Sequence, residues 1–172
     1  MFSDPVKNLK AFGLREDMIV ADLGAGSGFY TIPLSKIVDR GKVYAIDIQK
    51  DFLTTIKNKA KDEHLHNVEF LLGDVEKIGG TKLRDGIIDA GVASNILFQI
   101  EDRNTFIEEI KRILKPGGKL LLIDGFSNGA FKNVAENISK EKAREIFEKK
   151  GFAWEREIDA GAHHYGMILR KL

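Results

Sequence analysis

Val20-Ala21-Asp22-Leu23-Gly24-Ala25-Gly26-Ser27-Gly28-Phe29-Tyr30 is the stretch that decides how this chain reads. A short apolar run over residues 18–23 enters three glycines at alternate positions, and an amphipathic stretch over 29–38 follows at once. Glycine permits a tight turn and lets the backbone approach a ligand with no side chain in the way. The free N–H groups at the start of the following helix suit a polar or anionic ligand group. A glycine-rich strand-to-helix turn alone is shared by many nucleotide binders. The spacing narrows the choice. A dinucleotide fingerprint asks for a small residue three positions after Gly26, where this chain has Phe29.

Outward from this turn, short apolar runs alternate with amphipathic stretches, the pattern of an α/β domain with a mainly parallel sheet. Strands are expected at 42–47, 68–72, 87–93 and 119–124. Asp51 is the expected cap of a helix carrying Phe52, Leu53, Ile56 and Ala60 at helical spacing. Lys57, Lys59 and Lys61 then fall on its solvated outer side. Asp102 is the expected cap of a helix with a stripe of Phe106, Ile107, Ile110, Ile113 and Leu114, stopped by Pro116-Gly117-Gly118. Ser139 caps a further helix that ends at Gly151. The final runs, 152–158 and 165–170, are separated by too few residues for a helical crossover, so they must pair antiparallel. The chain thus reads as five β/α units and a β-hairpin: a Rossmann-like, doubly wound sheet of seven strands in a single domain over 1–172.

Composition excludes several functions. At 43% hydrophobic and 31% charged residues, the chain is an ordinary globular sequence. Its formal net charge of +1 makes no global case for nucleic acid or membrane. The absence of cysteine excludes disulfides, thiolate zinc sites and cysteine nucleophiles. No signal-peptide core or membrane-length apolar run is present, so the expected compartment is the cytoplasm. His64 and His66 precede the third strand, on the far end of the sheet, and read as solvent residues; no metal is expected.

The pattern D-x-G-x-G-x-G resembles the first motif of the class I S-adenosylmethionine-dependent methyltransferases, and other segments follow in that family's order. The resemblance implies that Asp22, Gly24, Ala25, Gly26 and Gly28 cradle the cofactor. Asp47, ending Tyr44-Ala45-Ile46-Asp47, would accept hydrogen bonds from both ribose hydroxyls, with Ile48 beside it. Gly73, Asp74 and Val75 would meet the adenine, with Asp74 accepting from the adenine amino group. Ser94 and Asn95 would line the methionine part and the transfer site. The turn Leu114 to Leu120 and the hairpin, whose last strand the family inserts antiparallel between strands five and six, complete the likeness from Leu14 to the end.

The implied reaction is methyl transfer from S-adenosyl-L-methionine, leaving S-adenosyl-L-homocysteine, to a small-molecule or lipid-like acceptor. Ligands of such sheets bind outside the carboxyl ends of the parallel strands. That placement makes His163, His164 and Tyr165 the candidates for a catalytic base, with ordinary hairpin-end residues as the alternative. It also makes 1–14 a segment covering the cofactor site and 124–138 an acceptor-side loop. Phe126 and Phe131 either line an apolar acceptor pocket or pack that loop onto the sheet, and with Phe2 they are the residues available to cover the site. Asn95 is followed by Ile96-Leu97 rather than Pro-Pro and an aromatic, which disfavours amide or base nitrogen as acceptor. Protein or RNA methylation, a non-catalytic cofactor-binding module and an NAD-dependent oxidoreductase are the alternatives. Phe29 and the hairpin disfavour the last. Oligomeric state is left open.

Overall fold

Successive side chains of the central strands point to opposite faces of the sheet, and apolar residues on both faces call for helices on both. The computed structural model describes residues 3–125 and 138–172. Its elements are α1 (Pro5–Phe12), β1 (Ile19–Leu23), α2 (Thr31–Ile37), β2 (Lys42–Asp47), α3 (Lys50–Asp62), β3 (Val68–Leu72), β4 (Ile88–Ser94), α4 (Arg103–Ile113), β5 (Leu114–Gly125), α5 (Lys140–Glu148), β6 (Phe152–Ile158) and β7 (His164–Lys171). Among the described residues, seven strands form one sheet in the order β3-β2-β1-β4-β5-β7-β6. β1 to β5 run parallel, and β7 enters antiparallel between β5 and β6. The expected fold class and the inserted last strand are both found.

On one face, Ala21, Leu23, Ile46, Ala93, Leu122 and Met167 pack with the inner stripes of α4 and α5. On the other, Val20, Val43, Val92, Leu121 and Ile168 pack with α1 and α2, while Ala45 meets Ile56 and Ala60 of α3. Covering both faces is what near-continuous apolar strands require. It leaves the carboxyl ends of the parallel strands as the place where polar residues gather.

Several local expectations are corrected. α1 was not foreseen; Asp4 caps it by accepting from Val6 N and Lys7 N, and Leu9 and Phe12 are buried against the sheet. Asp51 does not cap α3. The helix begins two residues earlier, behind Gln49, because Asp47 Oδ1 accepts from Gln49 N at 2.8 Å and turns the chain directly off β2. Pro116-Gly117-Gly118 does not stop α4. The helix ends at Ile113, since Leu114 takes extended geometry to pair with Ile88. The next pairing is Ala90 with Lys119, so Pro116 to Gly118 is extruded as a bulge inside β5. The third of the five β/α units has no helix: turns and irregular chain make up the connection from β3 to β4. Asp102 and Ser139 cap α4 and α5 as expected.

Candidate active site

The turn after β1 is held from beside it. Gly24 N and Ala25 N both donate to Ile46 O, and Gly26 N donates to Asp47 Oδ2 at 2.9 Å. Gly26 sits at φ 53°, and a side chain there would project into open space, with only Gly24 O as near as 4.0 Å. That space belongs to a cavity of about 620 Å³ at the carboxyl ends of β1, β2, β3 and β4. Its lining includes every predicted cofactor residue except Gly28: Asp22, Gly24, Ala25 and Gly26 from the first turn, Asp47 and Ile48 from the second, Gly73, Asp74 and Val75 from the third, and Ser94 and Asn95 from the fourth.

Gly28 meets a helix. Its φ is 87°, and a Cβ there would lie 3.1 Å from Ile56, so this glycine lets the turn pack against α3. Lys59, expected merely to be solvated, donates to Ser27 O at 2.8 Å and ties α3 to the same turn.

The three predicted acids occupy different environments. Asp22 is fully buried and accepts from Thr31 Oγ1 at 2.6 Å. Burial, reinforced by the nearby Asp47 charge and opposed by the Thr31 hydrogen bond, pushes its carboxyl up to about 6. Asp47 is buried, with its two oxygens taken by Gly26 N and Gln49 N. Asp74 is half-buried, paired with Lys77 Nζ at 3.0 Å and accepting from Glu76 N at 3.0 Å. Those two partners, Lys77 foremost, hold it below the usual carboxylate range.

At the fourth strand end, Asn95 takes φ 51° and donates its N–H to Ile123 O, while Gln99 Nε2 donates to Asn95 O at 3.0 Å. Non-glycine residues in this region of φ/ψ space cluster at ligand sites, and asparagine tolerates it best. Asp124, buried at the end of β5, supports the segment by accepting from Leu97 N at 2.8 Å.

Sequence reasoning missed Tyr30, Gln49, Phe52 and Glu76, all of which line the cavity. Gln49 and Phe52 follow Asp47 so closely that its position was signal enough. Tyr30 is different. Its hydroxyl accepts from Asn8 Nδ2 at 2.8 Å and lies 3.5 Å from Ser3 Oγ, so its wall of the cavity is set by α1, a helix the sequence did not reveal.

The three base candidates stand apart from this lining. His163 is exposed in the turn before β7, which begins only at His164. His164 pairs in register with Gly125 and is lowered by burial and by the His163 charge. Tyr165 is buried in the core cluster with Leu97, Phe106 and Met167, and burial pushes its hydroxyl upward, out of the range of a general base near neutral pH. None of the three lines the cavity among the described residues. Phe2, Phe126 and Phe131 lie outside the described residues. Among those described, no helix is long and apolar enough to cross a membrane.

Fold and cavity define a Rossmann-like α/β domain with a nucleoside-sized site at its strand ends. Residues 14–161 match the family described as methyltransferase domain, and the chain belongs to that family. The recognition drawn from the motifs and the fold class it implied both hold. A demethylmenaquinone methyltransferase of Lactococcus lactis is 33% identical over 119 residues, covering 69% of this chain and 46% of that protein. The ubiquinone/menaquinone biosynthesis C-methyltransferase UbiE of Vibrio parahaemolyticus is 32% identical over 130 residues, covering 74% and 47%. The chain therefore spans about half the length of these curated relatives. A crystal structure of a SAM-dependent methyltransferase from Aquifex aeolicus is 34% identical, superposes with a TM-score of 0.89, and covers 99% of this chain and 91% of that one. The cyclase SpnF shares the fold at a TM-score of 0.84 and 17% identity, over 98% of this chain and 81% of its own. Fold alone does not determine chemistry.

Proposed function

We propose that this domain binds S-adenosyl-L-methionine in the strand-end cavity and directs its methyl group to a small-molecule or lipid-like acceptor. The observation that carries the reading is the convergence of four strand ends on one cavity, with a buried acid, a side-chain-free turn and two further acids spaced along it. The residues fit the cofactor: Gly26 leaves room for a ligand against its main chain, and Asp47 has a rigid carboxylate one residue from the rim. In this reading Asp47 receives the ribose hydroxyls, Asp74 the adenine amino group, and Asp22 the ligand's ammonium group.

The sulfonium supplies an already activated methyl group. What remains for the chain is alignment and exclusion of water. Tyr30, Ser94, Asn95 and Gln99 form an end of the cavity with hydrogen-bonding but uncharged side chains, which favours an uncharged acceptor. Quinone rings, the acceptors implied by the names of the relatives above, are the class to try first. The segment 1–14 is assigned as cover on the Tyr30 side, supported by the contacts of Ser3 and Asn8, and 124–138 as the acceptor-side loop.

Isothermal titration of the purified chain with S-adenosylmethionine, S-adenosylhomocysteine and NAD tests the cofactor. Binding of the first two and not the third is expected, and no binding of either sulfur nucleoside ends the reading. Transfer of labelled methyl to a panel of demethylated quinones tests the acceptor. Label appearing instead in protein or RNA replaces the small-molecule assignment.

A further inference from the structure

Behind the cavity, on the inner side of α4, lies a further carboxylate whose partners outside its own helix all belong to one loop. Glu109 is completely buried. Its Oε2 accepts from Gly79 N at 2.8 Å and Arg112 Nε at 2.8 Å. Its Oε1 accepts from Thr81 Oγ1 at 2.6 Å, Thr81 N at 3.2 Å and Arg112 Nη2 at 2.8 Å. Burial alone would raise this carboxyl, but the Arg112, Thr81 and main-chain donors override it and hold it at about 2. It is an anion clamped between a helix and the connection from β3 to β4.

The two main-chain donors flank Gly80. Gly80 O accepts from Asp74 N at 3.1 Å, and Gly80 N donates to Lys77 O at 2.8 Å, closing the turn that carries Asp74. The strands of this turn touch through bare backbone. A Cβ on Gly80 would fall 2.0 Å from Asp74 O, and one on Gly73 would fall 2.5 Å from Gly80 O. A shift of residues 79–81 therefore cannot be absorbed locally; it moves Asp74. The turn is also tied to the segment that caps the same helix, since Glu76 Oε2 accepts from Glu101 N and Asp102 N.

We propose that Glu109 is a positioning residue for the cofactor base: by gripping Gly79 and Thr81 it fixes Asp74 where it reads the adenine amino group, without touching the ligand. The inference rests on the S-adenosylmethionine reading above. It explains why a turn with no helix of its own can hold a recognition residue: α4 supplies the rigidity from behind, the kind of support that lets a site residue keep its geometry.

The test is base selectivity, read by isothermal titration with S-adenosylhomocysteine and its deaminated analogue S-inosylhomocysteine, which replaces the amino group by a carbonyl. The wild-type chain is expected to prefer the adenine compound by about tenfold or more. Glu109→Gln should reduce that preference to nearly one, mainly by weakening the adenine compound. Thr81→Val, which removes one hydroxyl and leaves the Glu109–Arg112 pair in place, should reduce it about threefold. A Glu109→Gln protein that melts earlier but keeps the wild-type preference overturns the inference. If that variant does not fold, Thr81→Val decides alone, and a wild-type preference there overturns it equally. A wild-type chain that binds both compounds alike also overturns it, while leaving cofactor binding intact. Only failure of the wild-type chain to bind either compound strikes the methyltransferase reading itself.

Discussion

Asp47 ends β2 and Asp74 follows the end of the neighbouring β3; they line one cavity and are built in opposite ways. Asp47 is buried, its oxygens committed to Gly26 N and Gln49 N, so that it is part of the turn it serves. Asp74 is half-buried on a turn, balanced by the exposed Lys77, and kept in place from a distance by α4. A carboxylate that doubles as scaffold is positioned before any ligand arrives. One carried on a turn depends on what lies behind it, and its loss should cost binding without costing the fold.

The sharpest test of that contrast is Asp47→Ala. It removes two charge-assisted hydrogen bonds as well as the acceptor proposed for the ribose, so affinity for S-adenosylhomocysteine should fall about a hundredfold and the melting temperature should drop with it. An unchanged melting temperature would break the comparison.

Asp22 adds a pH axis. Its carboxyl titrates near 6 in the free chain, and only its ionised form can pair with an ammonium group. Affinity should therefore fall about tenfold between pH 8 and pH 5, and Asp22→Asn should flatten the profile. The stability effect has the opposite sign. A carboxyl raised from 3.8 to about 6 contributes fully to folding below pH 3.8, and that contribution is lost as pH rises through about 6. Asp22→Asn, which can still accept from Thr31, should thus melt higher than wild type at pH 8 while binding more weakly. Thermal melts with and without ligand separate the two.

Asp74→Ala should weaken S-adenosylhomocysteine about fivefold with little change in melting temperature. Lys77→Ala should move affinity by about twofold at most, because an exposed pair is screened and weak. Smallest of all, His163→Ala and His164→Ala should leave methyl transfer near the wild-type rate, since neither side chain lines the cavity. A loss of about a hundredfold in either would restore the base at the hairpin tip.

What was legible in the sequence follows from local rules. The run Val20 to Tyr30 carries its own strand, its own turn chemistry and the start of its helix, so cradle and acid could be read without a partner in view. The same holds for Asp47, which ends a short continuous apolar run, and for the hairpin, whose short link permits only antiparallel pairing. The packing of Gly28 was not legible, because a motif does not say which glycine meets a helix. That depends on Ile56, 28 positions away. Pro116-Gly117-Gly118 was misjudged because Leu114 is drawn out of its helix by pairing with Ile88.

The amino-acid order alone thus determined the fold class and the glycine turn that enters the cavity, because each rests on backbone freedom and periodicity within a few residues. Only the assembled tertiary structure decided that α1 holds Tyr30 at the cavity wall, that Tyr165 is withdrawn into the core, and that Glu109 grips the Asp74 turn. Those contacts join residues far apart in sequence through burial and hydrogen bonds that come into being only when the layers close on the sheet.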